Sequence, residues 1–497
     1  MDRAITRLRA RMEELRDLGG VIGLLTWDQE THLPAKAHSA RGQQLSTMQG
    51  LYHERLVDPA LGDLIDEAAA DAALSADERA MIRVFRRERD RAVKLPQRLV
   101  RALAEAQANG VSAWREAREA RDFTRFRPAL ERTLALRREQ ADAFGHDGER
   151  YDALLESYEP GMRVSRLTPV LEALRDQLIP IVQRLTEASP PRDVLAGHTF
   201  DPDRQWAFTL QLLEGMGFDL QAGRQDRSIH PFTGGTHPRD VRLTTRVEPG
   251  NPLSTIFSTI HEGGHGLYEQ GFAEAHHRTP LAGAPSMGLH ESQSRLWENV
   301  IGRSLPFWEH WFPVLKEHFP SELEGVDVIA FHQSVNRVCR SLNRVEADEL
   351  TYNLHIVLRY ELELLLIHDQ LPVADLPEAW NERMSKYLGV RPPDDLSGVL
   401  QDIHWAWGEL GYFPTYTLGN LYAAQLNEAL RRDLPDLDAR LRQGDLHSVR
   451  DWLRRKIHEE GYRYDAEDLI TRVTGAGLSD GPFLRYLRSK YGVAAPR

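Results

Sequence analysis

Residues 251–268 read NPLSTIFSTIHEGGHGLY, and this stretch carries the strongest structural signal in the chain. Asn251 and Pro252 form a typical helix start, because Asn is a good N-cap and Pro suits the first helical position. Apolar side chains then recur at three- and four-residue steps from Leu253 to Tyr268. This spacing is typical of a helix with one buried face. The sequence therefore predicts a helix that is directed towards the core.

The pair His261 and His265 lies within this predicted helix. Residues four apart project from the same side of a helix, so both imidazoles can reach a single zinc ion. Glu262 lies between them, where its carboxylate can meet a water molecule near the ion without being a ligand. A solvent-exposed helix face is the alternative interpretation. The apolar flanking residues favour the buried metal site.

Two glycines, Gly263 and Gly264, interrupt this helix at its centre. Each glycine costs a helix interior roughly 1 kcal/mol relative to alanine. The chain therefore needs space at this point, either for the backbone of a substrate or for a closely crossing helix. Simple tight packing is the alternative.

A third ligand is expected, because a catalytic zinc takes three protein ligands and leaves one position open for water. A second helical segment begins near Gly288 and supplies Glu291, far enough beyond His265 for a loop and a return crossing. His290 and Glu298 fit the same requirement on spacing alone.

The remaining chain is predicted to be mainly α-helical, with long and highly charged amphipathic helices in its first half. Helical periodicity covers Ile5 to Leu25, Asp77 to Ala108, Phe126 to Ala143 and Leu167 to Leu185. The segment from His230 to Glu248 differs, because Thr-, Arg- and Val-rich pieces surround two adjacent glycines. That pattern predicts a hairpin or small sheet just before the metal helix. Ser189-Pro190-Pro191 and Arg391-Pro392-Pro393 predict loops.

Length and composition describe a large globular protein. The 497 residues predict one large body with two lobes, or two to three domains, and we place the division at about 1–190 and 191–497. The net charge of −12 argues against a general nucleic-acid binder. The single cysteine, Cys339, fits a reducing compartment and is expected to be buried in a helix. Neither a secretory signal nor a membrane span is predicted, so the expected location is the cytoplasm.

Several further motifs, taken in order, resemble the carboxypeptidase Taq family of metallocarboxypeptidases over nearly the whole chain. The motifs are Trp27-Asp28-Gln29-Glu30-Thr31, His230-Pro231-Phe232, Asp240-Val241-Arg242-Leu243-Thr244, His290-Glu291-Ser292-Gln293, Arg344-Val345-Glu346-Ala347-Asp348, Gly398-Val399-Leu400-Gln401-Asp402-Ile403-His404-Trp405 and Gly411-Tyr412-Phe413-Pro414-Thr415-Tyr416. One such string is weak evidence, whereas the full set is specific. His32 stands where the family pattern leads us to expect Met.

The resemblance implies a helical two-lobed fold like that of neurolysin and angiotensin-converting enzyme, with a long groove over the zinc. It implies release of C-terminal amino acids with broad specificity, usually sparing a C-terminal proline or acidic residue, and a homodimer. Glu291 becomes the preferred third ligand beside His261 and His265, and Glu262 the base. Arg344 and Tyr416 correspond to groups that recognise the substrate carboxylate or polarise its carbonyl.

The expected reaction is peptide hydrolysis in which Glu262 takes a proton from water and delivers it to the leaving amine. His404 and Tyr416 are the candidate donors to the developing oxyanion, with Tyr412 in reserve. These residues and Arg344 also have purely structural interpretations. His404 could be a core histidine among aromatic residues, and the two tyrosines could pack a turn. Arg344 could form an ion pair with the acidic residues that follow it.

The hairpin residues with motif positions are expected either to line the groove or to brace the hairpin. These residues are His230, Asp240, Arg242 and Thr244. The adjacent His276 and His277 are expected to be solvated rather than metal-binding.

The sequence thus predicts a zinc carboxypeptidase with one zinc per subunit, for which cobalt or manganese could substitute. Peptides are the expected partners, with no nucleic acid and no membrane. An endopeptidase or oligopeptidase with the same zinc chemistry is the nearest alternative. A binding protein that has lost catalysis, or a helical scaffold without metal, are alternatives from other classes.

Overall fold

The computed structural model describes residues 3–187 and 189–493. The two predicted lobes, at about 1–190 and 191–497, therefore lie partly outside the described residues. The described residues are mainly helical, which confirms the predicted fold class. Their helices are α1 Ala4–Thr31, α2 His38–Leu56, α3 Pro59–Ala69, α4 Ala76–Lys94, α5 Gln97–Ala120, α6 Arg127–Phe144, α7 Arg150–Leu155, α8 Val164–Glu187, α9 Pro202–Met216, α10 Pro252–Glu269, α11 Met287–Arg295, α12 Leu305–His318, α13 Val328–Val335, α14 Tyr352–Ile367, α15 Leu376–Leu388, α16 His404–Trp407, α17 Pro414–Asp433, α18 Leu437–Arg442, α19 His447–Lys456, α20 Ala466–Thr474 and α21 Gly481–Tyr491.

One predicted helical stretch is divided in the structure. Periodicity ran unbroken from Asp77 to Ala108, but α4 ends at Lys94 and α5 begins at Gln97. Pro96 separates them, because proline has no N–H to continue the hydrogen-bond ladder of α4. The two proline-rich loops lie between α8 and α9 and between α15 and α16, as predicted.

A three-stranded sheet precedes the metal helix. Its strands are β1 Gly223–Arg227, β2 Phe232–His237 and β3 Asp240–Thr245, in the order β1-β3-β2. β2 and β3 form the predicted hairpin, while β1 pairs with β3 in parallel and was not predicted. Helix α1 packs against β2 so closely that a Cβ on Gly20 would lie 2.8 Å from the carbonyl oxygen of Thr236.

Three apolar clusters are present among the described residues, the smallest formed by Leu99, Ala106 and Leu136. The largest one runs from Ala117 to Val493 and includes the buried face of α10. A smaller one joins α1, α3 and α4 with Leu281, which lies in the loop between α10 and α11. The N-terminal helices are therefore attached to the loop that separates the predicted metal ligands. The predicted division near residue 190 stays a prediction.

In the described part of the chain, no helix combines the length and apolar character that crossing a bilayer requires.

Candidate active site

The three predicted metal ligands converge on one point. His261 and His265 project from α10 and Glu291 from α11, and one donor atom of each lies within 4.8 Å of the others. Oε2 of Glu291 is 3.6 Å from Nε2 of His261 and 3.3 Å from Nε2 of His265. Two imidazole nitrogens and a carboxylate oxygen therefore face a common centre.

Local sequence explains why the two helices begin where they do. Asn251 caps α10 by accepting from the backbone N–H of Ser254 at 3.3 Å, with Pro252 at the first position, as predicted. Ser286 caps α11 by accepting from the N–H of Leu289 at 3.0 Å. These caps fix the starts of both ligand-bearing helices.

The two glycines of α10 allow close packing. A Cβ on Gly264 would lie 2.7 Å from Cα of Ser294 and 2.8 Å from the carbonyl oxygen of Gln293, both in the α11 backbone. A Cβ on Gly263 would lie 2.9 Å from Leu213 of α9. The space predicted at this point is therefore occupied by neighbouring helices, and the close α10–α11 approach brings Glu291 to the histidines.

The charge states of these groups suit a divalent cation. Burial lowers the pKa of His265 to about 3, so its imidazole is neutral at pH 7. Burial alone would raise the pKa of Glu291, but Arg295 and the histidines outweigh it and hold that pKa well below its usual value. Burial alone would lower the pKa of His261, but Glu291 and Glu298 outweigh burial, and the pKa of His261 is raised. Metal ligands must be deprotonated, and an ionised carboxylate beside a neutral imidazole meets that need.

Glu298, which spacing alone left as a possible ligand, contacts the far side of an imidazole instead. Its Oε2 lies 2.8 Å from Nδ1 of His261, while Nε2 of that ring faces Glu291. Arg295 bridges the two carboxylates, with Nε 2.6 Å from Glu291 and Nη1 3.3 Å from Glu298. A carboxylate on the second nitrogen of a ligating histidine fixes its tautomer and orientation.

Glu298 lies on an unusual turn. Residues Leu296–Ile301 form a π-helix that continues α11. Such segments are rare and frequently occur at functional sites. His290, the other alternative ligand, pairs with Glu269 at 2.8 Å and stacks on His265 with ring centres 4.5 Å apart.

The carboxylate of Glu262 is buried and held by the sheet. Its Oε2 accepts a 2.6 Å hydrogen bond from Oγ1 of Thr233, whose hydroxyl also lies 3.1 Å from the Glu262 carbonyl oxygen. Burial raises the pKa of Glu262, partly offset by His261 and Thr233. Sequence reasoning missed Thr233, although it directly follows the quoted His230-Pro231-Phe232 motif. A threonine on a strand gives no signal of its partner.

Arg344 is a buried ion-pair residue, but not with the acids that follow it in sequence. Its Nε and Nη2 donate to Oδ1 of Asp402 at 3.0 and 2.7 Å, and Nη1 donates to the Tyr352 hydroxyl at 2.9 Å. Asp402 also accepts from Arg359. The guanidinium of Arg344 lies 4.9 Å from the ring centre of Tyr416.

The predicted oxyanion donors form a connected pair. Nε2 of His404 lies 3.1 Å from the hydroxyl of Tyr416, and the Tyr412 ring lies 5.3 Å from that of Tyr416. Burial lowers the pKa of His404 to about 3 and raises the pKa of Tyr416 well above its usual value. At neutral pH the imidazole is therefore uncharged and the phenol keeps its proton.

This pair lies next to the predicted metal ligands. At Gly419, one turn beyond Tyr416 on α17, a Cβ would overlap the side chain of Glu291, so only glycine fits there. Tyr352 links the two groups, because its ring lies 4.5 Å from the Arg295 guanidinium and 6.1 Å from the Tyr416 ring. The structure thus brings the predicted metal, base and donor residues into one neighbourhood.

The hairpin residues make bracing contacts. Arg242 donates to Asp240 at 2.9 and 3.0 Å and covers the ring of Trp27 at 4.3 Å. Thr244 accepts from the N–H of Phe232 at 2.9 Å. His230 is exposed on the loop that precedes β2. Bracing was one of the two predicted roles, and substrate contact by these residues stays a prediction.

Two smaller expectations are wrong. Cys339 is exposed and lies in an irregular segment between α13 and α14, where its N–H donates to Asp348. His276 is buried rather than solvated, and its Nε2 lies 3.7 Å from a carboxylate oxygen of Asp77. The sequence around a single residue does not reveal whether a distant element of the fold covers its side chain.

The mainly helical fold, with two histidines and a carboxylate around one centre and a buried glutamate beside them, defines a metallopeptidase. Comparisons with known proteins narrow this class. The family model for carboxypeptidase Taq (M32) metallopeptidases matches residues 7–491. Thermostable carboxypeptidase 1 of Thermus thermophilus is 44% identical over 95% of both chains. Thermostable carboxypeptidase 1 of Pyrococcus furiosus is 38% identical over 98% of both.

A solved structure agrees with these sequence matches. The M32 carboxypeptidase of Deinococcus radiodurans R1 is 41% identical and superimposes with a TM-score of 0.97 over 99% of both chains. The chain therefore belongs to the carboxypeptidase Taq (M32) family. It is a metallocarboxypeptidase, a hydrolase of peptide substrates that uses a divalent metal, and the family resemblance seen in the sequence is confirmed.

Proposed function

We propose that this chain is a zinc carboxypeptidase of broad specificity, with His261, His265 and Glu291 as ligands and Glu262 as general base. The observation that carries the proposal is the convergence of the three donors within 4.8 Å beside the buried Glu262 carboxylate. Two imidazoles and one carboxylate are a common donor set for catalytic zinc. Imidazole is also a ligand type that suits zinc.

When bound, zinc would act as a Lewis acid that polarises the scissile carbonyl and acidifies water. The residues of the chain transfer the proton and orient the reacting groups. Glu262 accepts the proton of the attacking water and returns it to the leaving amine, and its raised pKa suits a group that must both take and release a proton. Thr233 orients that carboxylate through its 2.6 Å hydrogen bond.

The donors on α16 and α17 complete the site. Tyr416 keeps its proton at neutral pH, so its hydroxyl can donate to the oxyanion that develops on the carbonyl. For that role His404 donates from Nε2 to the Tyr416 oxygen, 3.1 Å away, which leaves the hydroxyl proton free for the oxyanion. Tyr412 is the reserve donor.

Arg344 is our candidate for the substrate carboxylate. A guanidinium has five N–H groups, and Asp402 and Tyr352 take three of those of Arg344. Two N–H groups remain, and Asp402 holds their direction. An exopeptidase must recognise a free carboxylate, and a fixed guanidinium is suited to that task.

The base assignment is tested with Glu262→Gln. We expect kcat to fall by roughly 100-fold or more while zinc is retained, because the amide cannot take a proton. Glu274→Gln, at an exposed glutamate in the loop that follows α10, is the control. Substantial turnover by a zinc-loaded Glu262→Gln enzyme would overturn the assignment.

The carboxypeptidase assignment is tested with one peptide that carries either a free or an amidated C-terminus. Only the free form should be cleaved at its last bond. Equal rates on both forms would favour an endopeptidase with the same metal chemistry. Elemental analysis of the protein as purified measures zinc against cobalt and manganese.

The predicted homodimer and the cytoplasmic location complete the proposal. The family resemblance supports the dimer, and the single cysteine supports a reducing compartment. Light scattering of the purified protein measures the oligomeric state, and a monomer at micromolar concentration would contradict the dimer.

A further inference from the structure

One buried carboxylate has no part in the chemistry described above. Glu159 lies between α7 and α8 and is 1% exposed. Its Oε1 accepts from the backbone N–H of Gly288 at 2.5 Å and from Oγ1 of Thr415 at 3.0 Å. Within the described residues, its Oε2 has no hydrogen-bond partner. An ionisable group buried in this way needs a physical reason.

Both partners of Glu159 lie in the first turn of a helix. Gly288 is in the first turn of α11, one turn before Glu291. Thr415 is in the first turn of α17, directly before Tyr416. A single side chain therefore accepts hydrogen bonds from two helices. One carries a proposed metal ligand, and the other carries the proposed oxyanion donor.

The contact between Glu159 and Gly288 requires a glycine. A Cβ on Gly288 would lie 2.9 Å from Oε1 of Glu159 and 2.9 Å from Cβ of Leu418 on α17. Only glycine leaves room for the carboxylate to enter between the two helices. The preceding residue, Met287, makes a further hydrogen bond, because its N–H donates to the carbonyl oxygen of Tyr158 at 2.9 Å.

The polar neighbours of Glu159 are neutral groups at helix starts. Burial raises its pKa to about 7, and the neighbouring Ser286, Thr415 and Gly288 offset this only in part, with no cation among them. Helix N-termini carry a partial positive charge that favours an anion. The carboxylate is thus held by the two helices that it joins.

We propose that Glu159 is a positioning residue that sets the placement of Tyr416 relative to Glu291 by joining the starts of α17 and α11. This inference rests on the proposed roles of those two residues. It assigns Thr415 as the anchor on the α17 side and Gly288 as the anchor on the α11 side. The two anchors predict separable effects on catalysis and on metal binding.

Thr415→Val removes the hydroxyl that donates to Glu159 and keeps the shape of the side chain. We expect kcat to fall about tenfold with KM nearly unchanged, because a displacement of about 1 Å in a reacting group can cost roughly 100-fold. Zinc affinity, measured by competition with a chromophoric chelator, should stay at the wild-type value because the α11 anchor remains.

The matched control is Thr417→Val. Thr417 is buried on the same helix, and its hydroxyl has no hydrogen-bond partner among the described residues. We expect wild-type kcat and zinc affinity. If Thr415→Val and Thr417→Val have the same kcat, the inference is overturned. If wild-type protein binds no zinc or cleaves no peptide, the proposed function fails instead.

Glu159→Ala and Glu159→Gln test the carboxylate itself. Loss of both anchors in Glu159→Ala should lower zinc affinity and kcat together, each by about tenfold. The Gln oxygen can still accept from both donors, so Glu159→Gln should recover most of each loss. A Glu159→Gln variant as impaired as Glu159→Ala would refute the positioning role. If Glu159→Ala does not fold, the two threonine variants decide the question.

Discussion

Replacing Glu298 should weaken metal binding without removing a ligand. The Glu298 carboxylate lies 2.8 Å from Nδ1 of His261, and burial would raise its pKa, but Arg295 and His261 outweigh burial and lower it to about 2. It is therefore ionised at neutral pH. A hydrogen bond to such a charged group contributes about 1.5–3 kcal/mol. Arg303 also lies 3.4 Å from the carboxylate, so its charge is part of a network.

The size of the effect follows from that hydrogen bond. Loss of a partner that orients a ligating histidine typically costs roughly 10–100-fold in metal affinity, or about 1.4–2.7 kcal/mol. Glu298→Gln keeps an acceptor but loses the charge, so we expect a decrease near tenfold. Glu298→Ala also loses the acceptor, and we expect a decrease near 100-fold. In both variants Arg295 should interact more strongly with Glu291 and compete with the metal.

Zinc affinity is measured by competition with a chromophoric chelator at pH 7.5. Glu149→Gln is the control, because Glu149 contacts His368 at the same 2.8 Å distance but neither residue faces the metal ligands. The control should bind zinc as the wild type does. If Glu298→Gln also binds zinc with wild-type affinity, the orienting role of Glu298 is refuted.

Three further outcomes are expected. Gly264→Ala should destabilise the fold by about 2 kcal/mol in urea unfolding, because the new methyl group meets the α11 backbone, whereas Gly50→Ala, with open space around it, should stabilise α2 slightly. Asp402→Asn should lower kcat/KM by about tenfold or more on peptides with a free C-terminus, because Arg344 loses its buried counter-charge. Burial raises the pKa of Glu363 to about 7, so the protonated form is favoured in the folded state and stability must fall as pH rises through 7. We expect a loss of about 3 kcal/mol between pH 5 and pH 8 from this group, absent in Glu363→Gln, and an unchanged pH dependence in that variant would contradict it.

Sequence alone predicted the parts of the site that depend on local periodicity. The helix that carries His261 and His265 was predicted from its N-cap and its apolar spacing. The structure places both histidines on this helix, α10. The choice between Glu291 and Glu298 needed the family resemblance. The two lie on the same continuous helical segment, and only the tertiary position of that segment decides which nitrogen of His261 each one meets.

Contacts between distant segments could not be predicted. Arg344 has acidic neighbours in sequence, yet its partner is Asp402, brought close by the packing of a remote loop. The strand Gly223–Arg227 was missed because it is polar and lacks alternation, and its pairing with β3 is parallel and non-local. Such pairings are set by the fold as a whole.

The packing of α1 on β2 connects the first helix to the buried carboxylate of Glu262. The backbone of Thr236 rests on Gly20, and Thr233 on the same strand holds the Glu262 carboxylate. A strand is stiff along its length, so a shift of α1 away from the sheet alters the hydrogen bond at the far end of β2. The position of α1 is thereby coupled, through β2, to the carboxylate that we propose as the general base.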